Sequence, residues 1–130
     1  MLIKKTARRR EPVRHPNGPM KEVILASGAV PQVTQVAVAT FDAASEIAMH
    51  THPTMWELYF VLDGAAVYTV GEERHLAEPG DLIAVPAGIP HGLRVTGAPH
   101  RIFYWGIATG PMPSPHAQPP PEPARQSTDT

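Results

Sequence analysis

The sequence contains no cysteine, which excludes a disulfide framework and thiolate metal ligands. It also lacks any run that approaches the roughly 18 apolar residues of a membrane-spanning helix. No apolar stretch follows the basic start of the chain, as a secretory signal would require. We therefore expect a soluble, cytoplasmic protein that does not bind a membrane. His and Glu are the strong metal ligands that remain available.

Long helices are disfavoured by the composition, because sixteen prolines and ten glycines are distributed over 130 residues. This composition favours short strands joined by many turns, and the length allows one domain with one core. We expect an all-β fold in three parts. These are a basic, Pro-rich flexible arm at residues 1–21, a barrel at 22–109 and a Pro-rich disordered tail at 110–130.

Charge is unevenly spread, although the net charge is only −1. Seven of the eleven Lys and Arg residues precede residue 22. The arm lacks interleaved aromatic residues, so we interpret it as a solvated segment and expect no nucleic-acid partner. The seven cations of the arm are Lys4, Lys5, Arg8, Arg9, Arg10, Arg14 and Lys21.

Strand signals recur at short intervals through the central region, as an antiparallel barrel requires. Asp63-Gly64 and Gly97-Ala98-Pro99 are predicted to be turns between separate strands. The predicted strands are Val23–Leu25, Gln32–Thr40, Ile47–His52, Trp56–Leu62, Ala65–Val70, Arg74–Ala77, Leu82–Val85, Gly92–Val95 and Arg101–Ile107.

Four side chains suggest a metal site. His50 and His52 are two residues apart, so on a strand they project from the same face. Glu57 has the opposite parity, but a corner at Pro53 allows it to face the same interior. His91 follows a turn rich in Pro and Gly. Three imidazoles and one carboxylate suit a divalent first-row metal, with positions left open for a ligand.

At these residues the chain resembles the cupin superfamily. Its first motif places His-x-His, Glu and Gly in order, and its second places Gly, Pro-x-Gly and His. Ala44 and Val95 depart from the usual Gly and Asn of the two motifs, but neither is a ligand. The matching residues are His50, His52, Glu57 and Gly64 in the first motif and Gly80, Pro86, Gly88 and His91 in the second.

The resemblance covers roughly Val33 to Ala108. It implies a double-stranded β-helix, or jelly-roll, barrel with a metal inside one end. We expect a divalent ion, with Fe²⁺ favoured because open positions on an imidazole and carboxylate site suit oxygen chemistry. Mn²⁺, Ni²⁺, Co²⁺ and Zn²⁺ remain alternatives. The fold does not specify a substrate, since one fold hosts many functions.

Counting by twos from the ligands predicts the pocket. Tyr59 and Val61 share a face with Glu57, and Leu93 shares one with His91, while Met49 adjoins His50. Tyr59 is either a catalytic acid or base near the metal or an aromatic core residue. The inward parity of the last strand, at Tyr104 or at its two neighbours, is open. His75 is expected at the surface, and His100 in a loop.

Three classes of function fit these residues. The first is a metalloenzyme, either an iron dioxygenase or a metal-assisted isomerase or lyase, acting on a small, weakly charged organic substrate that chelates the metal. The second is a non-catalytic small-molecule binding or sensing module. The third, a sugar-phosphate isomerase, is disfavoured because Arg74, Arg94 and Arg101 are the only cations between Val23 and Ala108.

The segment Met20–Leu25 carries a short apolar run after a Pro-rich hinge. An edge strand on such a hinge can pair with a neighbouring chain. We therefore expect a homodimer in which Val23 to Leu25 contributes to the contact. The alternative is that this segment pairs within its own barrel and the protein is a monomer.

Overall fold

The computed structural model describes residues 9–12 and 20–112, and the side chains from Met20 onward. All eight elements of this part of the chain are β-strands, which confirms the all-β expectation. It contains no helix long and apolar enough to cross a membrane. The tail from residue 113 and most of the predicted arm lie outside the described residues. The strands are β1 (Arg9–Pro12), β2 (Met20–Leu25), β3 (Val36–Phe41), β4 (Glu46–His50), β5 (Met55–Val70), β6 (Glu73–Ala77), β7 (Leu82–Val85) and β8 (His91–Ala108).

Strands β5 and β8 form the centre of the fold, because each belongs to two layers. The first half of β5 pairs with β7 and with the second half of β8, which continues through β3 and β2 to β1. The second half of β5 pairs with β6 and with the first half of β8, which in turn pairs with β4. All these pairings are antiparallel. The two layers enclose a core of buried apolar and tyrosine side chains, as in a jelly roll.

Two of the predicted turns are not strand ends. Asp63-Gly64 lies inside β5, and Gly97-Ala98-Pro99 lies inside β8. The two sites face each other in the ladder, where the register shifts between Val61 and Ala66. At Gly64, with φ +70°, an added Cβ would lie 2.2 Å from the carbonyl oxygen of Pro99. These residues therefore bend two paired strands together, and the positive φ and close approach at Gly64 require glycine there.

The bend reverses the inward parity of both strands. Before it, the odd-numbered Glu57, Tyr59 and Val61 are buried; after it, the even-numbered Ala66 and Tyr68 are buried. In β8 the buried residues change from His91, Leu93 and Val95 to His100, Ile102 and Tyr104. The parity that the sequence left open is thus settled in favour of Tyr104, which is 1% exposed.

The amino-terminal segment contributes to the sheet. Arg9–Pro12, which lies within the predicted flexible arm, pairs as β1 with β2. Lys21, assigned to the same arm, is only 1% exposed on β2. β2 pairs within its own chain with β1 on one side and β3 on the other. A dimer contact at Val23 to Leu25 would therefore use the face of β2 and not a free edge.

Candidate metal centre

The four predicted ligands meet at one end of the barrel. His50 ends β4, His52 lies in the following loop, Glu57 lies in β5 and His91 begins β8. Their ligand atoms all lie within 4.8 Å of one another. His50 and His91 are register partners in the β4–β8 ladder, with ring centroids 4.3 Å apart. The pairing of β4, β5 and β8 thus brings together residues that are up to 41 positions apart in the chain.

The loops of the two motifs hold each other in place. The backbone N–H of Gly88 donates to the carbonyl oxygen of His52 at 2.9 Å. Pro53-Thr54 forms the predicted corner, and Thr109 donates to the carbonyl oxygen of Thr54 through both its backbone N–H and its hydroxyl. His52 is therefore positioned by backbone hydrogen bonds on either side of the corner, although it lies outside any strand.

Hydrogen bonds select the tautomer of two of the imidazoles. Nδ1 of His50 lies 2.8 Å from the carbonyl oxygen of Ala48, and Nδ1 of His91 lies 2.9 Å from that of Ile89. A carbonyl oxygen only accepts, so Nδ1–H donates in both residues. The lone pair then resides on Nε2, which is the arrangement that orients a metal-binding histidine.

The donor set and its burial fit a divalent metal ion. His52 is 6% exposed, and its Nε2 is buried with no hydrogen-bond partner in the described part of the chain. The nearest charged atom to it is Oε1 of Glu57, 3.4 Å away, and the same oxygen lies 3.3 Å from Nε2 of His91. A buried nitrogen without a partner is costly. An ion bound by these imidazoles and the carboxylate would satisfy it.

Tyr59 contacts this cluster directly. Its hydroxyl donates to Oε1 of Glu57, and the Tyr59 ring centroid lies 6.3 Å from that of His91. The side chain is 1% exposed and also packs on Tyr68 and Tyr104. Tyr59 is thus part of the core and at the same time holds the carboxylate ligand, so the two interpretations from the sequence are compatible.

The space beside the ligands is small. The cavity there measures about 10 Å³, which holds about one water. Of the predicted pocket residues, Tyr59 and Leu93 line it; Val61 is buried deeper in the core. Met49 does not line it, because the side chain is 50% exposed. The register of β4 shifts between Ile47 and His50, so these two residues both line the cavity although their parity differs, and Met49 between them points outward. The lining residues are Ile47, His50, Tyr59, Tyr68, Val85, His91, Gly92 and Leu93.

A second polar group lies deeper in the barrel and was missed in the sequence. His100, expected in a loop, is fully buried in β8. Its Nδ1 donates to the carbonyl oxygen of Asp63 at 3.1 Å, and its Nε2 accepts from the Tyr68 hydroxyl at 2.8 Å. Burial lowers the pKa of His100, although the Asp63 carbonyl acts in the opposite direction. Burial, and then the negative charge of Glu57, raises the pKa of Tyr68. Only the parity reversal at the bend places this pair inside.

His75 lies at the surface, as expected. His75 is exposed and lies 3.1 Å from the Glu73 carboxylate. Arg74 and Arg94 are exposed, and Arg101 pairs with Asp63 at 3.2 Å beyond the bend.

Comparison with known proteins identifies the family. A family model described as a cupin domain matches residues 37–106, more than half of the 130-residue chain. The chain belongs to the cupin family. This cupin is also 31% identical over 62 residues to an uncharacterized protein of Methanocaldococcus jannaschii. The match covers 48% of the cupin and 50% of that relative, so it spans about half of either chain.

Solved structures support the same fold. The cupin resembles a predicted oxalate decarboxylase from Thermotoga maritima with a TM-score of 0.69 and 18% identity, covering 83% of this chain and 99% of that one. It also resembles KdgF from Halomonas sp. with a TM-score of 0.63 and 18% identity, covering 76% and 87% of the two chains. Identity at this level establishes a shared jelly-roll fold and leaves the activity to the site itself.

Proposed function

We propose that this cupin is a metalloenzyme in which His50, His52, Glu57 and His91 hold one divalent ion. The observation that carries the proposal is the convergence of these four side chains within 4.8 Å of one another around the buried, unpartnered Nε2 of His52. When bound, such an ion supplies Lewis-acid polarisation of an oxygen-bearing ligand. Fe²⁺ is the favoured native ion, ahead of Mn²⁺, Ni²⁺, Co²⁺ and Zn²⁺.

The residues of the chain would orient and shield the ligand. Ile47, Leu93 and Val85 form apolar walls that exclude water from the site. Tyr59 holds Glu57 by its hydroxyl and keeps the carboxylate directed at the cluster. A cavity with room for about one water favours a small substrate that enters beside the partly exposed His50. A small, weakly charged organic molecule that chelates through oxygen fits this site.

Two types of reaction fit such a site. One is an iron dioxygenase-like reaction, and the other is a metal-assisted isomerase or lyase reaction. The test is metal content after anaerobic purification, together with oxygen uptake on a panel of catechols, diketones and small acids. About one ion per chain is expected. Oxygen consumption with one substrate would identify a dioxygenase, whereas product formation without it would identify an isomerase or lyase. Purified protein that takes up none of the five metals contradicts the proposal.

The second candidate is a cupin that binds or senses a small molecule without converting it. The narrow cavity favours this non-catalytic role, because a larger substrate would have little room to rearrange. Azide or nitric oxide should bind directly to the reconstituted iron if positions on the ion are open. A spectrum unchanged by either ligand would favour the non-catalytic role. A sugar-phosphate isomerase remains the weakest of the three hypotheses, because no Lys or Arg lines the cavity to bind a phosphate.

We also propose a homodimer that uses the face of β2. Val23 is buried within its own chain, so the contact would depend on the half-buried Ile24 and Leu25. The pairing of β2 with β1 and β3 of the same chain is the arrangement that the monomer alternative expects. Light scattering at micromolar concentration should give twice the mass of the chain. Ile24→Glu should reduce it to the mass of the monomer, whereas Leu76→Glu on the distant, exposed β6 serves as the matched control. A monomeric unmodified protein argues against the dimer.

A further inference from the structure

The walls of the metal centre carry very little charge. None of the eight residues that line the cavity is Lys, Arg, Asp or Glu. Among the described residues, Arg74 and Arg94 are exposed to solvent, and Arg101 is paired with Asp63 beyond the bend. Lys21 is buried on β2, three strands from β5 in the sheet order, and does not line the cavity. Glu57 is thus the one charged side chain of the ligand cluster.

The charge of the centre follows from its donors. His50 and His91 each donate Nδ1–H to a backbone carbonyl and present a lone pair on Nε2, so they bind an ion as neutral imidazoles. His52 is the third imidazole. Glu57 accepts a hydrogen bond from Tyr59 and contributes one negative charge as a ligand. A divalent ion held by these four residues therefore gives a centre with a net charge of +1.

Burial makes this charge selective. Three of the four ligands are buried, with Glu57 1%, His91 4% and His52 6% exposed, and only His50 is partly exposed, so water screens most of the centre poorly. A ligand of charge −1 neutralises the centre. A ligand of charge −2 leaves one negative charge inside apolar walls, where an uncompensated charge is strongly disfavoured.

We propose that this site selects substrates that chelate the ion as monoanions, such as α-keto acids, α-hydroxy acids or enolised diketones, and discriminates against dianions such as dicarboxylates and phosphates. This inference rests on the proposed metal site. It narrows the substrate class by charge, which the ligand set alone does not do.

Pyruvate and oxalate are a matched pair of probes. Both close a five-membered chelate ring through two oxygens, but they carry charges of −1 and −2. Calorimetric titration of the full-length nickel-loaded protein with each anion gives a ratio of oxalate to pyruvate affinity. The reference is a small nickel complex with three nitrogen donors and one carboxylate, which has the same charge in water. The ratio should be at least about tenfold lower for the protein, since only the protein buries the charge.

Substitutions in the wall test the cause of the selectivity. Leu93→Lys places a cation beside the ligands and should raise the ratio at least about tenfold, whereas Leu93→Met should leave it unchanged. Lys21→Met should also leave it unchanged. A fall in oxalate affinity in the Lys21→Met protein would contradict the inference, because it would reveal a cation that serves the site.

The outcomes separate this inference from the proposed function. A protein that binds no nickel overturns both. A protein that binds nickel but has the same ratio as the reference complex, or a higher one, overturns the monoanion selectivity alone. If Leu93→Lys does not fold, the comparison between the unmodified protein and the reference complex still decides the question.

Discussion

Two ends of the same barrel bury histidines in different ways. At the metal end, His50 and His91 donate Nδ1–H to backbone carbonyls, and their Nε2 atoms face a shared point with His52 and Glu57. Beyond the bend, His100 uses both ring nitrogens, one with the Asp63 carbonyl and one with the Tyr68 hydroxyl. The first group is arranged for a ligand and the second is satisfied by the protein itself.

The difference lies in what the second ring nitrogen faces. A histidine whose two nitrogens both have protein partners contributes to the stability of the core and has no lone pair left for a metal. A histidine fixed at Nδ1 and turned towards a carboxylate and other imidazoles is preorganised for one. Burial alone does not distinguish the two, because His91 is 4% exposed and His100 is 0% exposed.

Removing a ligand should have the largest effect. We expect His52→Ala to weaken metal binding by more than about 100-fold, beyond the range of losses typical for residues that only support a ligand. The fold should persist, because these side chains lie at one end of the core. Metal content and circular dichroism measure the two effects. The exposed His75→Ala is the matched control. Undiminished occupancy in His52→Ala would rule out the site described here.

Replacing His100, whose two ring nitrogens both have protein partners, should lower stability and leave metal binding nearly unchanged. His100→Ala leaves the Tyr68 hydroxyl buried without its partner and opens a cavity, at a cost of about 2 to 4 kcal/mol in the free energy of unfolding. Urea denaturation of the metal-free protein measures this loss. Metal affinity of the folded fraction should stay within about threefold of the unmodified protein, since His100 contacts no ligand. A large loss of metal binding would mean that the two ends are coupled.

The contrast between the metal ligands and His100 can be tested further by removing one hydroxyl at a time, from Tyr59 or from Tyr68. Tyr59→Phe removes the hydroxyl that holds Glu57 and should weaken metal binding by about 10- to 100-fold, as for other residues that orient ligands. Tyr68→Phe removes a hydroxyl that also faces the cavity but donates to His100 and not to Glu57, so it should weaken metal binding clearly less than Tyr59→Phe does, while it lowers stability by about 1 kcal/mol. Calorimetric titration with Ni²⁺ and urea denaturation check both variants. Equal effects on metal affinity would contradict the separate roles.

The last prediction concerns the dependence of stability on pH. Burial holds the pKa of His100 below its usual value of about 6.5, so the unfolded chain binds a proton at this residue before the folded protein does. His100 should therefore leave stability unchanged above about pH 6.5 and lower it by up to about 1.4 kcal/mol per pH unit below that value, until the folded protein is itself protonated there. The groups that face the ring are the Tyr68 hydroxyl, the Asp63 carbonyl and the Phe41 ring.

Urea denaturation of the metal-free protein at pH 7.5 and 5.5 checks this. The stability difference between the unmodified protein and His100→Gln should shrink at the lower pH, whereas His75→Gln should show no such trend. A difference that is constant with pH would exclude a buried neutral His100.

Much of the metal end could be predicted from the sequence. His50, His52, Glu57 and His91 follow from ligand chemistry, from the corner at Pro53 and from the two motifs. The period of two in a strand is not what places His52, because β4 ends at His50 and His52 lies in the following loop. The absence of cysteine and the density of Pro and Gly already favoured an all-β fold with this type of donor set. These inferences are local, since each depends on residues close together in the chain or on recurrent motifs.

The other end of the barrel required the tertiary structure. Counting by twos from Glu57 or His91 fails beyond Gly64 and Pro99, because a bend shared by two paired strands reverses the inward parity. This reversal buries His100 and Tyr68, which no motif singled out. The sequence alone determined which atoms are available to bind a metal. The pairing of β5 with β8 decided which other polar atoms share the interior, because cross-strand register depends on contacts that are distant in sequence.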